Sequence, residues 1–346
     1  MSQEPIHTDH HEQDSLTCCT FNIHHFCTAK GKSNLNRLLK YLTIKDYDII
    51  GLNEVSTSQF QYFLSELNEK QIQQGKSQYE YFEGNANGYY ESNAVLSKFK
   101  ILEGASEQIA DDRCIVGVKI DNVHVPFVFL THLDHVQEKK RMKQMKRGVK
   151  FMEEFMEEHD DEEESNKKPN HQMNKTQHKS HAATHHKNDE SVNTKTTANY
   201  ILMGDFNSMR DDDYTPEFWN KIKNQRIEWG WEPAHTMIAE YLFEGKYCQN
   251  DDYDEFYDQD DDDKYKQRNL VSKVDCWKQC HPNDLLDDDR VIGSSRLNTR
   301  IDYIICNEEL KSSLTECNID EEGATISDHL PVFAIFEFDR PQMDNE

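Results

Sequence analysis

Eight polar residues, each set at or beside the end of an apolar run, carry the chemistry this sequence offers. They are Asn22 after LTCCTF, Glu54 after DIIGLN, His132 after PFVFLT, Asp205 and Asn207 in YILMGDFN, Asp302 in RIDYIIC, and Asp328 and His329 in ISDHLPV. Most are hard oxygen donors and two are imidazoles. They are separated by most of the chain, so only a fold that gathers strand ends could make them neighbours. Oxygen donors without an accompanying cysteine cluster suit Mg2+ or Mn2+ better than Zn2+. A divalent ion held by carboxylates beside imidazoles is a standard means of hydrolysing phosphate esters, because the ion neutralises developing charge and lowers the pKa of bound water. The inventory therefore points to phosphoryl-ester hydrolysis.

Each residue also has a plainer explanation. Asn22 and Asn93 fit strand-end turns, Glu54 fits the positive end of a helix, and Asp328 fits an N-cap. Asp302 resists such an account, because an acid inside an apolar strand needs a cationic or imidazole partner. His24, His25 and His135 receive no role and are expected to be satisfied or solvated.

The elements that must position these residues alternate at first. Leu16 to Ile23 reads as a buried strand. Leu35, Leu38, Leu39 and Leu42 recur at the spacing of one helix face. Asp48 to Leu52 is a second short strand, and a helix from about Thr57 to Gln71 follows it, so the opening is layered α/β. The middle turns to short neighbouring strands: Tyr79 to Glu83, Asn93 to Ser97, Arg113 to Ile120 and Val123 to Thr131. Asp121 and Asn122 suggest a two-residue hairpin between the last two, and Pro126 suggests an edge strand or a bulge. A long helix is expected from near Gln137. Helices are expected near Thr215 to Lys223 and Pro233 to Leu242, and closing strands at Arg300 to Cys306 and Pro331 to Phe338.

Within YILMGDFN, Gly204 lets the backbone turn, and Asp205 and Asn207 share a face with Phe206 directed into the core. The chain has 346 residues, 36% of them hydrophobic, and a net charge of −26 from 39 Lys plus Arg against 65 Asp plus Glu. Two polar insertions, at about 157–198 and 245–267, dilute one domain spanning 16–339, and 1–15 reads as a tail. The insertions are expected to be disordered. The acidity argues against a broad basic nucleic-acid surface, although a local patch is compatible with it. The polar N-terminus lacks a signal-peptide core, and no run approaches the roughly 18 apolar residues of a membrane span. An intracellular protein, cytoplasmic or nuclear, is expected. So is a monomer, with the nine cysteines as free thiols.

The ordered set TFNI, IIGLNEV, SNAVLSK, FLTHLDH, MGDFNS, RIDYI and SDHLPV resembles the endonuclease/exonuclease/phosphatase superfamily, from about Thr17 to Phe338 apart from the insertions. That group includes pancreatic-type deoxyribonucleases, apurinic-site endonucleases, deadenylases, neutral sphingomyelinases and inositol polyphosphate 5-phosphatases. The resemblance implies a four-layered α/β/β/α sandwich of two packed mixed sheets flanked by helices, with the site at one end. It implies Glu54 as principal metal ligand, with Asn22 beside it and Asp328 closing the metal side; Mg2+ is the expected ion, with Mn2+ possible. Asp205 would activate or orient the attacking water, and Asn207 would hold it or a phosphate oxygen. His329, set by Asp302, would stabilise the phosphorane or act as base. His132 would bind phosphate or protonate the leaving group, and Asn93 would contact phosphate. Arg141 and Gln144 after THLDH match a spacing of the smaller members.

Three functions remain open at this stage: a nuclease, a phosphoesterase acting on phospholipid or inositol phosphate, and a non-catalytic binding protein on the same scaffold. Nucleic acid is preferred. Lys98, Lys100, Arg113, Arg290, Arg296 and Arg300 are available to neutralise phosphates, VDCWKQCHP resembles the apurinic-endonuclease branch, and no amphipathic membrane helix is evident. The binding-protein reading is disfavoured because every catalytic position holds a competent residue.

Overall fold

The computed structural model describes residues 14–86, 91–166, 198–245, 273–287 and 292–339. Twelve strands form two six-stranded mixed sheets among these residues. In the first, β1 (Asp14–Asn22) lies parallel to β2 (Ile49–Ser56), with α1 (Leu35–Lys45) in the crossover between them. The β2 strand continues antiparallel to β4 (Glu91–Ser97), and β4 to β3 (Glu80–Asn85). On the other side of β1 lie β12 (Val332–Phe338) and then β11 (Leu314–Ile319).

The second sheet runs β5 (Ile101–Ala110), β6 (Arg113–Ile120), β7 (Phe127–His132), β8 (Tyr200–Asp205), β10 (Asp302–Asn307) and β9 (Lys273–Asp275). Here β7 and β8 are the parallel pair, and α3 (Glu138–Asn166) lies between them in sequence. The remaining helices are α2 (Thr57–Gln73), α4 (Pro216–Glu228), α5 (Met237–Phe243) and the short α6 (Cys276–Cys280).

Alternation along the strands explains the layering. One face of each sheet supplies a shared interior including Cys18, Ile49, Val95, Leu130, Met203 and Ile304. The opposite face of the first sheet packs on Leu38, Leu42, Phe60 and Phe63 of α1 and α2, and that of the second on Met145, Val149 and Phe155 of α3. Each aliphatic side chain fully buried this way stabilises the fold by about 1.5–3 kcal/mol. The result is the four-layered α/β/β/α sandwich. The sheets approach closely enough at Gly51 that a Cβ there would press on Leu130 and Met203, each at 2.8 Å.

Several boundaries differ from the sequence expectation. The β7 strand is interior, between β6 and β8, and Pro126 precedes it instead of marking an edge or bulge. Residues 121–126 form a longer connection than a two-residue hairpin, since Lys119 pairs with Phe127. The β5, β9 and β11 strands were not anticipated. The helix α3 starts where expected, next to Gln137, and runs to Asn166, close to the expected fraying into acids by Glu164. The disorder expected for 1–13, for most of the segment ending at 198 and for 246–267 lies outside the described residues.

Candidate active site

Three neighbouring strands of the second sheet bring their polar residues to one level. His132 pairs with Asp205 in the parallel ladder of β7 and β8, and Asp205 with Asp302 in the antiparallel ladder of β8 and β10. Gly204 makes the first pairing possible. Its φ of +138° is open to glycine, and a side chain there would collide with the carbonyl oxygen of Thr131.

In the first sheet Asn22 pairs with Asn53, and the register of β2 against β4 then slips between Leu52 and Val55. Glu54 sits in that bulge at φ 52°, which turns its carboxylate toward the second sheet. Asn53 ties the two sheets together. It donates to the Thr131 carbonyl at 3.1 Å and to Asn93 Oδ1 at 2.8 Å, and it accepts from the Asp205 amide at 3.0 Å.

These strand ends open into a cleft of about 450 Å³ lined by His24, His25, Glu54, His132, Asp205, Asn207, Asp328 and His329, among others. Asp205 is its most constrained acid. It is 1% exposed, and its Oδ2 accepts from Asn22 Nδ2 at 3.0 Å and lies 3.6 Å from His132 Nε2 and 3.8 Å from His329 Nε2. Its Oδ1 accepts from the Asn207 amide at 2.9 Å. Asn207, at φ 49°, donates its side-chain amide to the Leu133 carbonyl. The partner that Asp302 requires is His329, whose Nδ1 lies 2.9 Å from Asp302 Oδ2.

The electrostatics separate these groups. Burial pulls His329 down, but the Asp302 and Asp205 carboxylates outweigh it and raise the imidazole to about 10. It is an imidazolium at neutral pH. Burial and the Asp302 carboxylate push Asp205 up, against the pull of His329. Burial and the Arg113 guanidinium push His132 down to about 3, so its ring is neutral.

Glu54 is different. Burial would raise it, but contacts from His24 and His25 hold it well below the usual carboxylate range.

Those two histidines were left unassigned by the sequence reading, and the structure places both in the cleft. His25 Nε2 lies 3.1 Å and His24 Nδ1 3.5 Å from Glu54 Oε2, and His24 Nδ1 is also 3.5 Å from Asp328 Oδ1. They ride on a left-handed turn in which His24, His25 and Phe26 have φ of 47°, 54° and 60°. Such backbone costs non-glycine residues about 1–2 kcal/mol each. The turn is clamped by Phe26, which is buried against Phe63, and by Asn34, whose side-chain amide donates to the carbonyls of Ile23, Cys27 and Ile326. Asn34 thereby joins the turn to the segment carrying Asp328. Nothing in the residue types HHF marked this turn in advance; only its place directly after Asn22 hinted at it.

Two expected contacts do not face the cleft. Asn93 is 4% exposed and spends its amide on Asn53 and on the Cys114 carbonyl at 2.9 Å, so it braces the floor instead of meeting a phosphate. Asn22, 1% exposed, donates to Glu54 Oε1 at 2.9 Å and to Asp205, and its Oδ1 accepts from the His24 amide; it aligns the two acids from below. Arg141 and Gln144 lock the loop after β7, through the Asp134 carbonyl and amide respectively.

Of the expected phosphate-facing cations, Arg113 and Arg296 line the cleft, and Arg226 joins them unforeseen. Lys98 is held by Asp46 and Asp48, and Arg300 is buried between Asp213 and Asp275. Arg290 lies outside the described residues. Lys100 does not line the cleft.

The donor set fits a divalent cation. Glu54 Oε2, His24 Nδ1 and His25 Nε2 belong to a group of ligand atoms all within 4.8 Å of one another. Atoms sharing an ion at bond lengths near 2.1 Å sit about 3.0–3.4 Å apart, close to the contacts seen here.

No curated protein sequence matches the chain. Solved structures of similar shape include the AP endonuclease from Archaeoglobus fulgidus (16% identity, 93% of this chain and 99% of that one, TM-score 0.52). They also include the 3′–5′ exonuclease NExo from Neisseria meningitidis (14% identity, 93% and 100%, TM-score 0.55). A third is the Neisseria 3′ phosphatase NExo bound to a product DNA hairpin (14% identity, 93% and 100%, TM-score 0.53). At these identities the likeness shows the fold. The sequence model of the Endonuclease/Exonuclease/phosphatase family matches residues 19–329, nearly the whole chain, and the protein is a hydrolase of that family.

Proposed function

We propose that this protein is a divalent-metal-dependent phosphodiesterase whose substrate is nucleic acid. The observation that carries the reading is the meeting of a raised acid, Asp205, a fixed imidazolium, His329, and the Glu54 carboxylate in one cleft. Glu54 and Asp328 would hold the ion; carboxylates alone would favour Mg2+, with Mn2+ second. When bound, the ion supplies charge neutralisation at the scissile phosphate.

The chain's own residues do the rest. Asp205 accepts the proton of the attacking water, for which its raised affinity suits it. The His329 imidazolium donates to an equatorial phosphate oxygen as charge builds there, and Asp302 keeps its ring in register. The neutral His132 ring donates a hydrogen bond to the phosphate; as the bond to the water oxygen forms, the bond to the leaving oxygen breaks, that alkoxide takes a proton from solvent, and Asp205 releases its proton to water. Asn207 fixes Asp205 through its backbone amide.

Nucleic acid is favoured over lipid by the opposite wall of the cleft. Trp229 and Trp231, in edge-to-face contact at 5.3 Å, stand there; Arg226 backs the Trp231 ring at 5.3 Å with its guanidinium spent on the Glu232, His135 and Val136 carbonyls, and the largely exposed Arg296 lines the same cleft. Aromatic faces beside guanidinium groups accept unstacked bases and phosphates together. Two of the neighbouring structures are named for nuclease activity and a third is bound to DNA, which supports the same choice. One observation favours a lipid reading: Ile227 and Trp229 are exposed together on this side, at 56% and 42%.

The test is release of product from single- and double-stranded oligonucleotides, phosphocholine lipids and inositol phosphates, with and without divalent ion. Cleavage of oligonucleotides that weakens with salt is expected. Release of phosphocholine or inorganic phosphate alone would replace the nuclease assignment, and no turnover of any ester would leave a binding protein.

A further inference from the structure

We infer that His24 and His25 are direct ligands of the metal ion, together with Glu54 and Asp328, so that this cleft selects a transition-metal ion such as Mn2+, Co2+ or Zn2+ over Mg2+. The inference rests on the metal-dependent reading above and sharpens it.

Four observations carry it. Both ring nitrogens nearest the cleft converge on a single carboxylate oxygen, Glu54 Oε2, at 3.5 and 3.1 Å, and the His24 nitrogen reaches Asp328 Oδ1 at 3.5 Å as well. The three residues His24, His25 and Glu54 all adopt left-handed backbone, a conformation that non-glycine residues keep where the surrounding structure enforces it and that clusters at ligand sites. The turn is held by buried contacts away from the imidazoles, through Phe26 and Asn34, so the rings are presented and not merely packed. Finally, the two side chains are 36% and 30% exposed, open to an entering ion, whereas His132 and His329 are 7% and 13% exposed and engaged with Asp205 and Asp302.

Two imidazoles with two carboxylates make a mixed nitrogen and oxygen shell. Imidazole donors favour the later first-row ions, and Mg2+ prefers oxygen ligands and retains its waters. An alternative is that both rings merely neutralise Glu54. That role would support any cation equally, or oppose all of them, and would leave no nitrogen bonded to the ion.

The experiment uses the full chain, freed of metal by chelation, with Mn2+, Co2+, Zn2+ and Mg2+ as probes. Electron paramagnetic resonance of bound Mn2+ should show 14N couplings from imidazole, and Co2+ should give visible absorption bands of a nitrogen-containing shell. Equilibrium dialysis should give Mn2+ a Kd at least about tenfold below that of Mg2+. His24→Ala and His25→Ala should each weaken Mn2+ by roughly 10- to 100-fold while changing Mg2+ by less than about threefold.

In a variant carrying both His24→Ala and His25→Ala, every other histidine of the chain remains. Nitrogen signal that survives there comes from those histidines and counts against the site. Absence of 14N coupling in the unaltered protein, or equal weakening of Mn2+ and Mg2+, overturns the inference without reference to any variant's folding or to catalysis. Nitrogen ligation without hydrolysis of any phosphodiester would overturn the proposed function and leave the metal site standing.

Discussion

His132, at the end of β7, and His329, in the segment leading into β12, have their rings locked among Asp205 and Asp302, whereas His24 and His25 stand on a strained surface turn with their rings gathered on Glu54. The first pair is buried, which lowers both rings, and their charged neighbours separate them: Arg113 keeps His132 neutral, while Asp302 and Asp205 keep His329 charged across the neutral range. The second pair is half-exposed, on a turn held by the Phe26 and Asn34 side chains. Burial and fixed partners suit proton transfer and charge stabilisation, where the dielectric is low and the geometry must not relax. Access and a mixed donor set suit capture of an ion from water. On the function and the metal ligation proposed above, the contrast divides one cleft into a chemical half and a metal half.

Breaking the buried half should cost the most. Asp205→Asn keeps the shape but only one of the two bonds from Asn22 and the Asn207 amide, and it removes the proton acceptor, so a fall in kcat of about 10³-fold or more is expected, with KM little changed. His329→Ala should fall in the same range. Turnover near the unaltered rate in either variant, with the thermal transition intact, would dissolve the division drawn here.

Asp302→Asn is the subtler break, with a loss of roughly 10- to 100-fold expected, because the ring of His329 stays while its nearest charge goes. It also carries a pH signature. His329 binds its proton more tightly folded, at about 10, than at its ordinary value of 6.5. The stability this contributes is fully present below about pH 6.5 and is lost as pH rises toward about 10. In Asp302→Asn that window should narrow from its upper end. Nuclear magnetic resonance titration of the ring in chelated protein, with urea unfolding at pH 6 and pH 10, measures both effects. An unchanged His329 titration would mean that Asp302 does not set it.

How much of this was legible beforehand follows the same physics. Residues at strand ends announced themselves, because an acid such as Asp302 inside an apolar strand called for a cationic or imidazole partner; the family resemblance named His329, and the two are paired. Most individual strands and the helices α1 to α3 were legible from their apolar runs and from the leucine stripe of α1, but the stacking of two sheets came only through the family resemblance. The exposed edge strand β5, ILEGASEQIA, was not, since its half-buried residues follow no clean period of two. The cations misled for a related reason. Arg300 and Arg296 look alike in sequence, yet one is fully engaged with Asp213 and Asp275 and the other lines the cleft with a largely exposed side chain, while Arg113 lines the cleft but is buried and paired with Asp112. His24 and His25 were invisible because their role depends on three consecutive left-handed residues, which no propensity of His or Phe suggests.

Breaking the metal half should cost less, and the loss should be recoverable. His24→Ala is expected to lose roughly tenfold in turnover when the transition-metal ion is scarce and to recover most of it at saturating ion, since the buried half is untouched. Asp205→Asn should show no such recovery. Turnover assayed across a Mn2+ series distinguishes the two, and an equally irrecoverable loss in His24→Ala would move that histidine into the chemical half.

The smallest effect on turnover is expected from Asn34→Ala, which touches neither set of rings. Asn34 is 1% exposed and its amide group donates to three carbonyls, at 3.1, 3.0 and 2.7 Å, one of them on Ile326 just before Asp328. Removing it leaves buried acceptors short of a donor, at a cost of about 2 kcal/mol, and the melting temperature should fall by roughly 4–8 °C. The same change frees the His24–Phe26 turn and the Asp328 segment to drift apart, so ion affinity should weaken several-fold. The strand-end cluster is held by separate bonds through Asn53 and Asn22, so kcat at saturating ion should stay within about threefold of the unaltered protein. Dialysis, calorimetric melting and saturated turnover on one preparation read the three quantities. A collapse of kcat alongside the affinity would show that the two halves are mechanically one.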